Sequence, residues 1–92
     1  MFGQFELEEF KGINLPQKAQ SAWSAVFDNP ELIGAKFIPL LYLGKQLAHG
    51  TNYSFIVQRS IVYRDEVFRN ILRVTINELD DKYTFSEDLK II

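Results

Sequence analysis

The chain has 92 residues, 47% of them hydrophobic, and its 12 acidic and 10 basic side chains leave a formal net charge of −2. This length and composition predict a single globular domain over residues 1–92 with a modest core. The absence of cysteine excludes a disulfide scaffold, a thiolate zinc site and a cysteine nucleophile. The lack of a basic stripe argues against nucleic acid as a partner.

The N-terminal residues 2–8 alternate weakly between apolar and polar side chains, which predicts a short edge strand or a flexible arm that ends at Gly12. Residues 1–9 have neither the basic region nor the apolar region of a signal peptide. No apolar run approaches the ~18 residues that span a membrane. We therefore expect a cytoplasmic protein without membrane contacts, unless a secretion signal has been removed.

One helix is predicted between residues 14 and 28, because apolar side chains recur at helical spacing on one face. Asn14 is the expected N-cap, and Pro16 falls in the first turn, where its missing N–H costs nothing. Pro30 ends the pattern, since proline cannot continue a helix. The apolar face consists of Leu15, Ala19, Ala22, Trp23, Val26 and Phe27.

Four strands are predicted after the helix, joined by short turns that indicate an antiparallel meander. Pro39 and Gly44 are expected at bulge or edge positions of the first strand. The class is therefore α+β, a twisted antiparallel sheet of four to five strands wrapped around one helix, with Trp23 at the centre of the core. The predicted strands cover residues 35–48, 52–63, 67–78 and 82–92. The side chains expected to face inward include Tyr53, Phe55, Val57, Phe68, Leu72, Val74, Ile76, Tyr83 and Phe85.

Candidate catalytic and metal-ligating groups are few. His49 is the only histidine, so it lacks the partners of a metal site or a nucleophile–base pair, and we interpret it as an exposed turn residue. The acidic pairs Glu8-Glu9, Asp65-Glu66 and Asp80-Asp81 are adjacent in sequence, and adjacent strand residues point to opposite faces. No glycine-rich phosphate loop is present. We expect no enzymatic activity, metal or cofactor, and we expect exposed loops to carry the function.

Residues 46–53, Gln-Leu-Ala-His-Gly-Thr-Asn-Tyr, place a polar turn with a glycine between two apolar strands and predict a β-hairpin with an exposed tip. This segment resembles the first inhibitory loop of the cystatins, a Gln-x-Val-x-Gly hairpin often followed by Thr-Asn-Tyr. Gln46 and Gly50 match the ends of that motif, and Leu47 replaces the commoner valine. Within the family the chain is most similar to the stefins, which lack disulfides and secretion signals.

The resemblance implies an inhibitor of papain-like cysteine proteases that works without a cofactor. In that family an N-terminal segment with a glycine, the first hairpin loop and a second loop form a wedge that fills the active-site cleft. The family also implies a monomer or a dimer that exchanges its first hairpin. The residues of this chain at the wedge positions are Gly3, Gln46, Leu47, Ala48, His49, Gly50 and Leu79.

Two features depart from the stefin pattern. His49 stands where a small residue is usual, and residues 78–82, Glu-Leu-Asp-Asp-Lys, stand where cystatins have Pro-Trp and stefins commonly Leu-Pro. Burying an unpaired carboxylate in an interface is costly. One alternative is therefore a cystatin-like interaction module that does not inhibit proteases. Another is a small enzyme or ligand carrier, which requires an open pocket between the helix and the sheet beside Trp23.

Overall fold

A computed structural model of the chain describes residues 7–8, 12–28 and 35–92. The described elements form one helix and one antiparallel sheet, whose strand order β1-β2-β3-β4 follows the sequence. The fold is therefore α+β with a four-stranded open meander. In chain order the elements are α1 (Gln17–Phe27), β1 (Ala35–Leu47), β2 (Thr51–Tyr63), β3 (Glu66–Leu79) and β4 (Lys82–Lys90).

The predicted fifth strand, residues 2–8, lies outside the described residues except for Leu7 and Glu8, and these two are not in a strand. The described helix is not long and apolar enough to cross a membrane.

The helix begins later than its pattern predicts. Its N-cap is Pro16, with no side-chain cap, so the predicted cap at Asn14 is wrong. The reason is steric: the proline ring disfavours a helical conformation at Leu15, the residue before it. The first turn is closed instead by the backbone N–H of Gln20, which donates to the Pro16 carbonyl at 2.8 Å.

The core lies between α1 and the sheet face that packs on it, which we call the helix face. Trp23 is 5% exposed, and its ring centroid lies 4.3 Å from that of Phe27 and 5.3 Å from that of Phe55. The predicted central position of Trp23 is confirmed. The buried sheet residues around it are Tyr53, Phe55, Val57, Leu72, Val74 and Ile76.

The helix covers only part of the sheet. Phe68 belongs to the same face of β3 as Leu72 but is 48% exposed. The cause is length, since an 11-residue helix spans about 16 Å and a 14-residue strand about 46 Å. The end of the sheet that carries Phe68 therefore extends beyond the helix.

Two bulges interrupt β1, as the sequence predicted. The pairing with β2 shifts between Pro39 and Leu41 and again between Tyr42 and Gly44. An edge strand such as β1 needs backbone hydrogen bonds along one side only. Pro39, which has no N–H, is therefore tolerated in β1. A third shift, between Arg73 and Val74, disturbs the pairing of β3 with β4.

The opposite face of the sheet, which we call the outer face, is partly covered by the N-terminal part of the chain. The Gln58 amide donates to the Glu8 carbonyl at 2.7 Å, and the Arg69 guanidinium donates to the Leu7 carbonyl at 3.3 Å. A Cβ built on Gly12 would lie 2.8 Å from Ile38 Cγ2. Leu7, Glu8 and Gly12 thus lie over β3, β2 and β1 in turn.

Candidate functional site

The first loop is a three-residue turn at the end of the β1–β2 hairpin, and the predicted hairpin is confirmed. Leu47 and Thr51 form the last strand pair. The Ala48 N–H donates to the Gly50 carbonyl at 3.0 Å. His49 has φ +40° and Gly50 has φ +95°, so the turn uses left-handed backbone conformations, which glycine adopts more easily than other residues.

The second loop is the two-residue turn between β3 and β4. Leu79 pairs with Lys82, and Asp80 and Asp81 have φ +51° and +62°. Positive φ at both positions is typical of a type I′ turn, in which aspartate is tolerated. The Asp81 N–H donates to Glu78 Oε1 at 3.3 Å. The turn therefore presents two exposed aspartates at its tip.

The two loops lie side by side at one end of the sheet, because β2 and β3 pair Thr51 with Glu78. A Cβ built on Gly50 would collide with the Glu78 carbonyl oxygen and lie 3.2 Å from Leu79 Cβ. Glycine is thus required at position 50 both by its φ and by the close approach of β3. We call this surface, residues 46–50 and 78–82, the two-loop edge.

Asn77 connects the first loop to β3. It pairs with Asn52 across the sheet, and its side-chain amide donates to Asn52 Oδ1 at 2.8 Å and to the His49 carbonyl at 3.2 Å. Sequence reasoning missed this residue. The available signal was a polar side chain two positions before Leu79, but its partner depends on the register between β2 and β3.

The two-loop edge is apolar at one point and acidic at another. Leu47 is 79% exposed, the highest value among the large hydrophobic residues that the structure describes, while Leu79 is half-buried. The other predicted residues of the first loop are exposed except for Gly50, which lies partly against β3. The structure therefore brings Gln46, Leu47, Ala48, His49, Gly50 and Leu79 onto one surface.

The negative charge of the second loop also affects its neighbour Tyr83. Burial raises the pKa of the Tyr83 hydroxyl above its ordinary value of 10.0, and the charges of Glu78 and Asp81 raise it further. Within the described part of the chain, neither Asp80 nor Asp81 forms a salt bridge with a lysine or arginine. The acidic tip is therefore available to a partner's positive charge.

The third predicted element of the wedge, Gly3, lies outside the described residues. The carbonyl of Leu7, the described residue nearest to Gly3 in sequence, accepts a hydrogen bond from the Arg69 guanidinium. Arg69 pairs with Ser60, nine residues along β2 from Thr51, a separation of about 30 Å. The described part of the N-terminal segment is therefore distant from the two-loop edge.

A shallow groove of about 380 Å³ lies on the outer face. In it the Asp88 carboxylate accepts hydrogen bonds from Thr75 and Ser86 and lies 3.7 Å from Arg73 Nε. These polar groups partner one another, and among residues 7–8, 12–28 and 35–92 no group of acids and histidine can hold a metal ion. The groove is lined by Leu43, Gly44, Lys45, Gln46, Ser54, Arg73, Thr75 and Asp88.

The space between helix and sheet is filled. Phe55, Val57 and Val74 are fully buried there, and the rings of Trp23 and Phe55 are in contact. These side chains pack the region where a ligand carrier would need an open pocket.

The comparisons with known proteins found no match: no family model, no curated protein and no solved structure matches the chain.

Proposed function

We propose that the chain is a cystatin-like inhibitor of papain-like cysteine proteases, closest to the stefin type, which inserts the two-loop edge into the active-site cleft. The observation that carries the proposal is the adjacency of the two loops. The Gln-x-x-x-Gly turn that begins at Gln46 lies beside the turn that follows Leu79, held there by the Thr51–Glu78 pair. The order of one helix and four meandering strands around Trp23 supports the same assignment.

Binding in this proposal is the docking of a preformed surface. The Gly50 backbone lies against Glu78, and Asn77 bonds the first loop, so little conformational entropy is lost on association. Leu47 supplies the main apolar contact, and burying such a side chain contributes about 1.5–3 kcal/mol. The tight turn at His49 and Gly50 is not an extended peptide, so it occupies the cleft without offering a bond for cleavage.

A second candidate is a cystatin-like interaction module that does not inhibit proteases. The exposed Asp80 and Asp81 at the tip favour it, because an unpaired carboxylate loses solvation when a cleft covers it. The placement of Leu7 about 30 Å from the two-loop edge also favours it, since no described residue of the N-terminal segment lies beside the two loops. Under this hypothesis the two-loop edge binds a partner with a basic surface.

The experiment that separates the two candidates is a titration of papain with the protein, followed with a fluorogenic peptide substrate. An inhibitor gives sub-micromolar inhibition that does not fade during incubation, because the loops are not cleaved. A protein with an intact circular dichroism spectrum that leaves papain and several related proteases fully active would rule out inhibition of those proteases and favour the interaction module.

Leu47→Ser is expected to raise the inhibition constant for papain about 30-fold, since roughly 2 kcal/mol of binding free energy from apolar burial is lost. Its stability should stay near that of the wild type, because the side chain is already exposed. Leu43→Ser is the matched control, as Leu43 is also an exposed leucine of β1 but lies outside the two-loop edge. Equal effects of the two variants on inhibition would contradict the role of Leu47.

His49→Ala is expected to tighten inhibition about ten-fold, equivalent to roughly 1.4 kcal/mol. Alanine, like histidine, has an energetic cost in the left-handed backbone conformation of position 49, so the substitution removes only the imidazole. In this proposal the imidazole is the group that limits how deeply the tip enters the cleft. The measurement is the inhibition constant of each protein under the same titration. Weaker inhibition by the variant would show that the imidazole makes a favourable contact instead.

A further inference from the structure

We propose that Asn77 is a positioning residue that locks the first loop onto β3, so that the two loops meet a partner as one rigid unit. The effect on a protease rests on the proposed function, whereas the locking of the loop is a property of the free protein and can be tested without a partner.

The geometry of the Asn77 amide suits this role. A side-chain amide has two N–H donors, and two acceptors lie within bonding distance, Asn52 Oδ1 at 2.8 Å and the His49 carbonyl at 3.2 Å. His49 is at the tip of the first loop, and Asn77 is two residues before Leu79, at the base of the second. One side chain thus ties the tip of one loop to the strand that leads into the other.

The first loop needs such a contact because its own hairpin restrains it weakly. The pairing of β1 with β2 ends at Leu47 and Thr51, and within the turn itself the Ala48 N–H bonds the Gly50 carbonyl. β1 is an edge strand with two bulges, so within the described sheet it is paired on one side only, with β2. The bond to the His49 carbonyl comes from β3, an inner strand with partners on both sides.

The sharpest test is Asn77→Asp, which keeps the shape of the side chain and removes its donors. The carboxylate would then face the His49 carbonyl without a hydrogen between them. The Asn52 amide can turn and donate to the new carboxylate, so the contact that is lost is the one to the loop. Asn70→Asp is the matched control, because Asn70 also lies on β3 and donates through its amide, to the Ile92 carbonyl at 3.4 Å.

The first readout is the backbone ¹⁵N order parameter of the free protein. In Asn77→Asp we expect the values for His49 and Gly50 to fall from about 0.8 to below about 0.6, while Val74 in the core stays near 0.85. In Asn70→Asp all three should match the wild type. Unchanged order parameters at His49 and Gly50 in Asn77→Asp would overturn the proposal. An equal fall at Val74 would also overturn it, because it indicates general loosening of the domain.

The second readout is the dissociation rate constant from immobilised papain. We expect it to rise roughly ten-fold in Asn77→Asp, the effect of losing one hydrogen bond that preorganises the surface, and to stay unchanged in Asn70→Asp. A looser loop with an unchanged dissociation rate would overturn the coupling to binding. If the wild type does not bind papain, the proposed function fails, and the order parameters still decide whether Asn77 positions the loop.

Discussion

Gly50→Arg is expected to abolish inhibition of papain while the helix and sheet stay folded. Position 50 has φ +95°, and any Cβ there would collide with the Glu78 carbonyl oxygen. The first loop must therefore move away from β3, so its tip no longer packs against Glu78 and Leu79 beside the second loop. We expect the inhibition constant to rise by at least about 100-fold, since small misplacements of a preorganised site have effects of this size.

Gly44→Arg is the matched control for this variant. Gly44 also has a positive φ, +129°, but a Cβ built there meets nothing within 4 Å. Both variants therefore carry the backbone cost of a left-handed residue, about 1–2 kcal/mol, and only Gly50→Arg disturbs the two-loop edge. Inhibition constants and urea midpoints should be measured for both. Retained inhibition by a folded Gly50→Arg protein would contradict the role proposed for the first loop.

Trp23→Ala is expected to lower the free energy of unfolding by about 3–5 kcal/mol. The indole is the aromatic centre of the core, in contact with Phe27 from the helix and Phe55 from the sheet, and its removal leaves a cavity that neither neighbour can fill. A domain of this size has a total stability of about 5–15 kcal/mol, so a large part of it depends on this side chain. The measurement is urea unfolding followed by far-ultraviolet circular dichroism.

Phe85→Ala provides the comparison for the tryptophan. Phe85 also contacts Phe27, with ring centroids 5.3 Å apart, but it lies at the rim of the core and is 39% exposed. We expect less than about half the loss caused by Trp23→Ala, since less apolar surface returns to water. A larger loss from Phe85→Ala would show that the centre of the core lies nearer to β4 than to Trp23.

The strands could be predicted closely from the sequence because two local signals agree. Alternation of apolar and polar side chains marks each strand, and turn residues such as Gly50 and the Asp80-Asp81 pair mark where strands end. The observed bounds differ from the predicted ones by at most two residues. The helix start was less accurate, because the cap preference of Asn14 was outweighed by the steric effect of Pro16 on Leu15.

The sequence by itself determined the helix-then-meander order, the position of Trp23 in the core and the exposed turn around His49, since these follow from periodicity and turn chemistry within short segments. Only the tertiary structure decided that Gly50 lies against Glu78, that Asn77 bonds the His49 carbonyl and that Leu7 lies far from the two loops. These contacts join residues that are distant in sequence. They depend on strand register, and a shift of one residue would send each side chain to the other face of the sheet.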